Sequence, residues 1–321
     1  MTKRVYAVAA LLLASAASLH ADNPIIKDLF TADPAALVVG DTVYLYTGHD
    51  EAPQPGTRFI MKDWRCFSST DMVHWKPEGV PLSLEAFPWA KSDAWASQVI
   101  QRNNKFYCYA PVHDRKTDAF ALAVAVADSP TGPFKDALGK PLITPDQTPA
   151  PAYAKTGKEM NWDDIDPTVF IDDDKQAYLI WGNTKCHLVK LKENMTETDG
   201  EIQTLDLPRF TEAPWIHKYN NKYYLSYAYD FPEKIAYAAA DKITGPYTFG
   251  NVINDTIPNS PTNHQSIIQF KNKWYFIYHT AALPNGGEFH RSVAIEELRY
   301  NPDGSIQPIH QTKEGITEPA R

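Results

Sequence analysis

The stretch DDIDPTVFIDDDKQAYLIWGN, Asp163 to Asn183, reads as two β-strands around a tight acidic turn. Its first strand, PTVFI, is apolar, the second, AYLIW, is aromatic and aliphatic, and the polar residues between them suit a tight hairpin. Acids and a proline crowd the entrance, so Asp166 stands where a core strand would begin. The same hairpin recurs along the chain. Aligned on its second strand, it gives TVYLYTG (42–48), KFYCYAP (105–111), AYLIWGN (177–183), KYYLSYA (222–228) and KWYFIYH (273–279). Each follows an apolar strand and a polar turn, and each is followed by a third strand, such as FALAVAVADS or RSVAIEEL. The equivalent residues Tyr44, Tyr107, Tyr178, Tyr224 and Tyr275 are spaced as four-stranded blades with variable loops would be. Helical periodicity is nearly absent. The repeat predicts an all-β chain, a five-bladed β-propeller forming a single domain over residues 22–321; a β-sandwich would leave the fivefold unit unexplained.

Ahead of the repeat, Lys3 and Arg4 precede an apolar run from Val5 to Ala17, and small residues close it near Ala21. This is the pattern of a secretory signal peptide, residues 1–21, and it predicts an exported protein, periplasmic or secreted. No cysteine follows to carry a lipid, and no later segment has the length to span a bilayer, so a membrane partner is not expected. The net charge of −8 becomes −10 without Lys3 and Arg4. With no long basic run, nucleic acid is a poor partner, whereas neutral ligands such as sugars suit the charge. The three cysteines, Cys66, Cys108 and Cys186, match no metal-site spacing, and the first two lie inside strand-like runs as small buried hydrophobes.

In a propeller the first strand of every blade lines the central axis, so residues where those strands begin converge on one face. Counting back ten to twelve positions from each repeat tyrosine reaches Asp33, Ser97, Asp166, Glu212 and His264. The three acids sit in ADPAALV, IDPTVF and TEAPWI, each at or just before a proline, which belongs at a strand entrance. A single Asp-Pro reads as a turn residue. Three acids in register point to function, because close carboxylates repel and cost stability unless used. The loops joining second and third strands must frame the same face; they offer His49, Asp50, His113, Asp114, Phe231, Glu288, His290 and Arg291. Arg291, where the last blade's third strand begins, is the best candidate to bind a ligand. Trp95, Trp162, Trp215 and Phe231 offer faces for sugar stacking, though each also suits a core.

Together TADPAALV, SSTDMVHW, AWASQVI, DDIDPTVF, FTEAPWI, NHQSI and EFHRSVAIEEL resemble glycoside hydrolase family 43 over essentially the whole chain after the leader. The resemblance implies an inverting glycosidase. Asp33 then matches the general base, Glu212 the general acid, and Asp166 the third acid, which tunes and orients Glu212. His264 matches a histidine near a calcium ion or water on the axis. Two readings of it stay open, a buried hydrogen-bonded histidine or part of a calcium site completed by water and carbonyls. Arg291 matches the basic residue that contacts the sugar, and Trp95, Phe231 and His49 are further substrate-binding candidates. No organic cofactor is implied. AWASQVI departs from the family's Trp-Ala-Pro, which loosens the placement of Trp95.

The leading expectation is an exo-acting β-xylosidase or α-L-arabinofuranosidase on xylan- or arabinan-derived oligosaccharides. The long 48–60 and 280–290 loops favour a blocked pocket. An endo-arabinanase of the same family and a non-catalytic carbohydrate-binding propeller are the alternatives. Retaining fructosidases rank lower, since no Arg or Cys stands beside the acids.

Overall fold

The computed structural model describes residues 20–149 and 162–317, so the predicted leader up to residue 19 lies outside the described residues. Five antiparallel sheets follow one another along the chain and form a five-bladed propeller. Blade 1 runs β1 (Thr31–Val39), β2 (Thr42–His49), β3 (Asp63–Ser69) and β4 (Lys76–Ser83). Blade 2 comprises β5 (Ala90–Ser92), β6 (Gln98–Arg102), β7 (Lys105–Asp114), β8 (Phe120–Ala127) and β9 (Lys135–Asp136); β5 and β6 both pair with β7. Blade 3 is β10 (Thr168–Ile171), β11 (Ala177–Trp181), β12 (Cys186–Leu191) and β13 (Thr198–Leu205). Blade 4 is β14 (Trp215–Tyr219), β15 (Lys222–Tyr229), β16 (Lys234–Ala240) and β17 (Thr248–Asn254). Blade 5 has three strands, β18 (Gln265–Phe270), β19 (Lys273–Thr280) and β20 (Ser292–Leu298).

That last blade departs from the four strands expected of every repeat. The chain just after the predicted leader fills the gap. The Ile25 amide donates to the Val293 carbonyl at 2.8 Å, and the Asn23 side chain pairs with both the amide and the carbonyl of Ile295. The edge of β20 is thereby covered, which an exposed strand edge requires.

The period of two along each strand explains how the blades stack. Cys108 and Ala110 in β7 pack toward blade 1, while Tyr109 between them packs toward blade 3. In β11, Leu179 faces blade 2, and its neighbours Tyr178 and Ile180 face blade 4. Each blade is therefore apolar on both faces, and the core is a set of seams between blades. The three cysteines are free thiols inside those seams, and burial pushes the thiols of Cys66 and Cys108 up to about 12. At the axis the inner strands β1, β6, β10, β14 and β18 adjoin in a closed ring. Side chains bind the ring across blades: Gln98 exchanges two bonds with the backbone of Val169, and Ser266 Oγ accepts from the Ala36 amide at 3.1 Å. The indole of Trp215 donates to the Ile267 carbonyl at 2.8 Å.

Candidate active site

The three sequence-aligned acids owe their placement to one local device. Asp33, Asp166 and Ala213 each precede a proline and each adopts a left-handed backbone, with φ of 51°, 55° and 54°. A residue before proline is denied the right-handed helical conformation. The left-handed one costs about 1 kcal/mol for a non-glycine residue, a strain that functional sites commonly carry. At Asp33 the pairing of β1 with β2 slips between Ala32 and Ala35, a bulge that re-aims the side chain. The result is a single cavity of ≈ 340 Å³ whose wall includes Asp33, Asp166, Glu212, His264 and Arg291. With Trp95 from blade 2 also on the wall, all five blades contribute to one site.

The charges in it are divided. Burial alone would raise the Asp33 carboxyl. Against that, Arg291, a hydrogen bond from His279 and the nearby His264 hold it well below the usual carboxylate range. Arg291 Nη1 donates to Asp33 Oδ1 at 2.8 Å, and His279 Nδ1 lies 3.1 Å from the same oxygen. Arg291 is itself clamped by Asp50, which accepts from Nε at 3.0 Å, Nη2 at 2.9 Å and the Arg291 amide at 2.8 Å. The guanidinium also lies over the Phe59 ring, 4.6 Å from its centroid.

Glu212 is pushed the other way. Burial and the negative charge of Asp33 raise it from 4.5 to about 7, against a 2.8 Å hydrogen bond from Asn183 Nδ2 to its Oε2. Gly182 sets that asparagine in place, because its φ of 137° and the nearby Lys185 carbonyl leave no room for a side chain. Asp166 is raised well above its ordinary value by burial, then by Glu212 and Asp33, while its Oδ2 accepts from the Ala213 amide at 3.0 Å. His264 Nδ1 stands 3.8 Å from both Asp33 Oδ1 and Asp166 Oδ2. Burial chiefly lowers its imidazole to about 4, so it is neutral near pH 7.

Other expectations fare differently. Trp95 and Phe231 line the cavity, and Phe231, 69% exposed, stands at its mouth with Trp162. Trp215 instead packs in the seam beside blade 5. His49 does not reach the cavity wall. As the last residue of β2 it pairs sideways with β3, where Asp63 and Arg65 hold its Nδ1 at 3.1 and 3.0 Å. Asp50, one residue on, is the partner of Arg291. His113 and His290 are buried outside the cavity wall, Asp114 caps its own turn, and Glu288 is not part of the wall.

Two functional neighbours were not singled out from sequence. His279 is the last residue of the repeat KWYFIYH, where it reads as one more strand residue. Glu233, 3% exposed, is a fourth carboxyl on the cavity wall. It accepts from the Asn263 amide at 2.9 Å, and burial followed by the charge of Glu212 raises it well above its ordinary value. Its loop, YDFPEK, joins the second and third strands of blade 4; that position was the available clue.

An all-β ring with three carboxyls of divided ionisation at its axis defines a class of sugar-cleaving enzymes, and comparison with known proteins agrees. The profile of glycosyl hydrolases family 43 matches residues 21–306. The chain belongs to this family and is a glycoside hydrolase. It is 30% identical to xylosidase/arabinosidase 43A of Humicola insolens, over 88% of this chain and 98% of that one. It is 31% identical to a xylosidase/arabinosidase of Bacteroides ovatus, over 87% and 95%. Among solved structures, a β-xylosidase/α-arabinofuranosidase from a compost microbial metagenome, in complex with xylotriose in a calcium-free form, superposes with a TM-score of 0.80. It shares 29% identity, and the match covers 91% of this chain and 98% of that one. An α-L-arabinofuranosidase of Clostridium thermocellum gives 0.74 at 36% identity, with 92% and 99% covered.

Proposed function

We propose that this protein is an exported, inverting exo-glycosidase that releases terminal β-D-xylose or α-L-arabinofuranose from xylan- or arabinan-derived oligosaccharides. One observation carries the reading: Asp33 and Glu212 face one cavity, the first held ionised and the second held protonated near neutral pH. Inverting hydrolysis needs this division, an acid for the leaving oxygen and a base for water on the opposite side of the ring. In this scheme Glu212 protonates the glycosidic oxygen as the bond to the anomeric carbon breaks. Asp33 takes a proton from the water that attacks that carbon. Asp166, tied to the amide of Ala213 next to Glu212, orients the acid.

The exo preference rests on two loops that meet beside the cavity. Gln54 Nε2 donates to the Asn285 carbonyl at 3.0 Å, His290 Nε2 is 2.7 Å from the Ala52 carbonyl, and Phe59 packs edge-on against Phe289. Phe59 belongs to the cavity wall, so these contacts support a pocket closed on the side between blades 1 and 5 over an open endo-acting groove. The xylosidase/arabinosidase relatives support the pentose substrate class.

Calcium at the axis fits the residues present. A hard cation takes oxygen ligands and water. Gln265 Oε1 and Thr168 Oγ1 are buried acceptors without hydrogen-bond partners on inner strands, and neutral His264 has a lone pair to offer. The ion would supply a fixed positive charge. By contrast His49, Glu51 and Asp63, which form a close trio on the rim, already engage Arg65 through two members. Chelation followed by calcium add-back, read as melting temperature, is expected to lower and then restore Tm.

Hydrolysis of 4-nitrophenyl β-D-xyloside and α-L-arabinofuranoside, with NMR of the first-formed anomer, tests the reading. Glu212→Gln and Asp33→Asn are each expected to lose about 10²–10⁴-fold in kcat. Wild-type turnover no faster than Glu212→Gln would instead mark a carbohydrate-binding propeller.

A further inference from the structure

His279 is fully buried in β19 and is not part of the cavity wall, so it acts on a substrate only through another residue. Its ring spans two oxygens. Nδ1 lies 3.1 Å from Asp33 Oδ1, and Nε2 lies 3.0 Å from the Thr262 carbonyl. A carboxylate only accepts, so Nδ1 is the nitrogen that donates to Asp33. The Asp33 amide, 3.5 Å from Nδ1, is the more distant neighbour. Thr262 is firmly placed, because Glu233 grips the turn around it: its amide donates to the Pro261 carbonyl at 2.8 Å and its carboxyl accepts from the Asn263 amide.

Arg291 Nη1 meets the same Asp33 oxygen at 2.8 Å. The terminal torsion of an aspartate is broad, so one donor alone would leave the carboxylate plane free to turn. Two donors reaching one oxygen from different directions fix that plane and with it the place of the other oxygen. We propose that His279 is a positioning residue that, with Arg291, pins Oδ1 of Asp33 and thereby reserves Oδ2 for the attacking water. The proposal rests on the reading of Asp33 as the general base.

Three variants separate this role from simple packing. In His279→Asn the amide nitrogen falls near the place of Nδ1; in His279→Gln it falls near Nε2; His279→Leu donates to neither. On the 4-nitrophenyl pentoside that wild type cleaves, the Asn variant is expected within about tenfold of wild-type kcat. The Gln and Leu variants should lose about 100-fold, the cost of a misplaced reacting group, with KM changed less than about twofold. A loss in KM alone, or an Asn variant as impaired as Leu at unchanged Tm, would overturn the proposal.

A second measurement does not depend on turnover. The ¹⁵N ring signals of His279 should report hydrogen on Nδ1 in wild type, with that signal displaced in Asp33→Ala. Ring signals indifferent to Asp33→Ala overturn the placement. Absence of hydrolysis by wild type on any pentoside would instead sink the catalytic reading while leaving the ring spectrum to judge the bond.

Discussion

Glu212 concentrates the chemistry of the site in one titration. Its carboxyl is raised from 4.5 to about 7 by burial and by Asp33, so the form that can donate a proton is populated up to neutrality. Hydrolysis is therefore expected to fall as pH rises through about 7, seen as the basic limb of kcat/KM. Stability follows the same sign. A carboxyl that binds its proton more tightly when folded stabilises the fold fully below about 4.5, and that contribution is lost as pH rises through about 7. Glu212→Gln should consequently match wild type in stability near pH 4.5 and exceed it near pH 8.5, by about 3 kcal/mol from Glu212 itself, read as a higher Tm. The neighbouring Asp166 and Glu233, both raised, push in the same direction, since each is relieved when Glu212 no longer ionises. Equal Tm differences at both pH values would contradict this account.

At the scale of the strand entrance, the acid-proline motif was legible because it repeats in register: the acids of ADPA, IDPT and TEAP sit 11 or 12 residues before the repeat tyrosine. What the motif could not disclose is the backbone that makes it work. The left-handed residue is the acid itself in blades 1 and 3 but Ala213 in blade 4, and Glu212 precedes it. Ala213 is fully buried, donates its amide to Asp166, and accepts from Gln265 Nε2 at 3.0 Å. Glycine tolerates that conformation, whereas a β-branched residue does not. Ala213→Gly is expected to change stability by no more than about 1 kcal/mol, and Ala213→Val to cost more than about 2 kcal/mol in chemical denaturation. His49 shows the converse limit. Knowing which loop frames the face did not reveal which residue turns inward, since a one-residue step along β2 exchanges His49 for Asp50. His279 and Glu233 stayed hidden for a related reason: neither falls in the aligned slot, His279 reaches Asp33 only across the junction of two blades, and nothing in the loop YDFPEK says which of its residues turns inward.

For the whole molecule, fold class was the most legible feature, because five copies of one hairpin leave few architectures open. The closing of the ring was not, since the chain that completes blade 5 carries no repeat motif. Asn23 anchors it, donating from Nδ2 to Ile295, Glu296 and Thr312 and accepting from the Ile295 amide. Asn23→Ala should lower stability by about 1–3 kcal/mol in denaturant titration while leaving kcat at 25 °C unchanged, because no catalytic group touches it. The proposed base, Asp33, is however a property of that closure. Asp33 and Asp50 belong to the first blade, whereas Arg291 and His279 belong to the last. The junction where the two ends of the chain meet is also where the nucleophilic water would be made reactive. A ring that parts there by an ångström still holds five intact sheets, with near-native circular dichroism and tryptophan fluorescence, but has lost its base. Such a molecule should fail as a catalyst some degrees before it melts, so residual activity, and not the unfolding curve, is the gauge of whether the circle is shut.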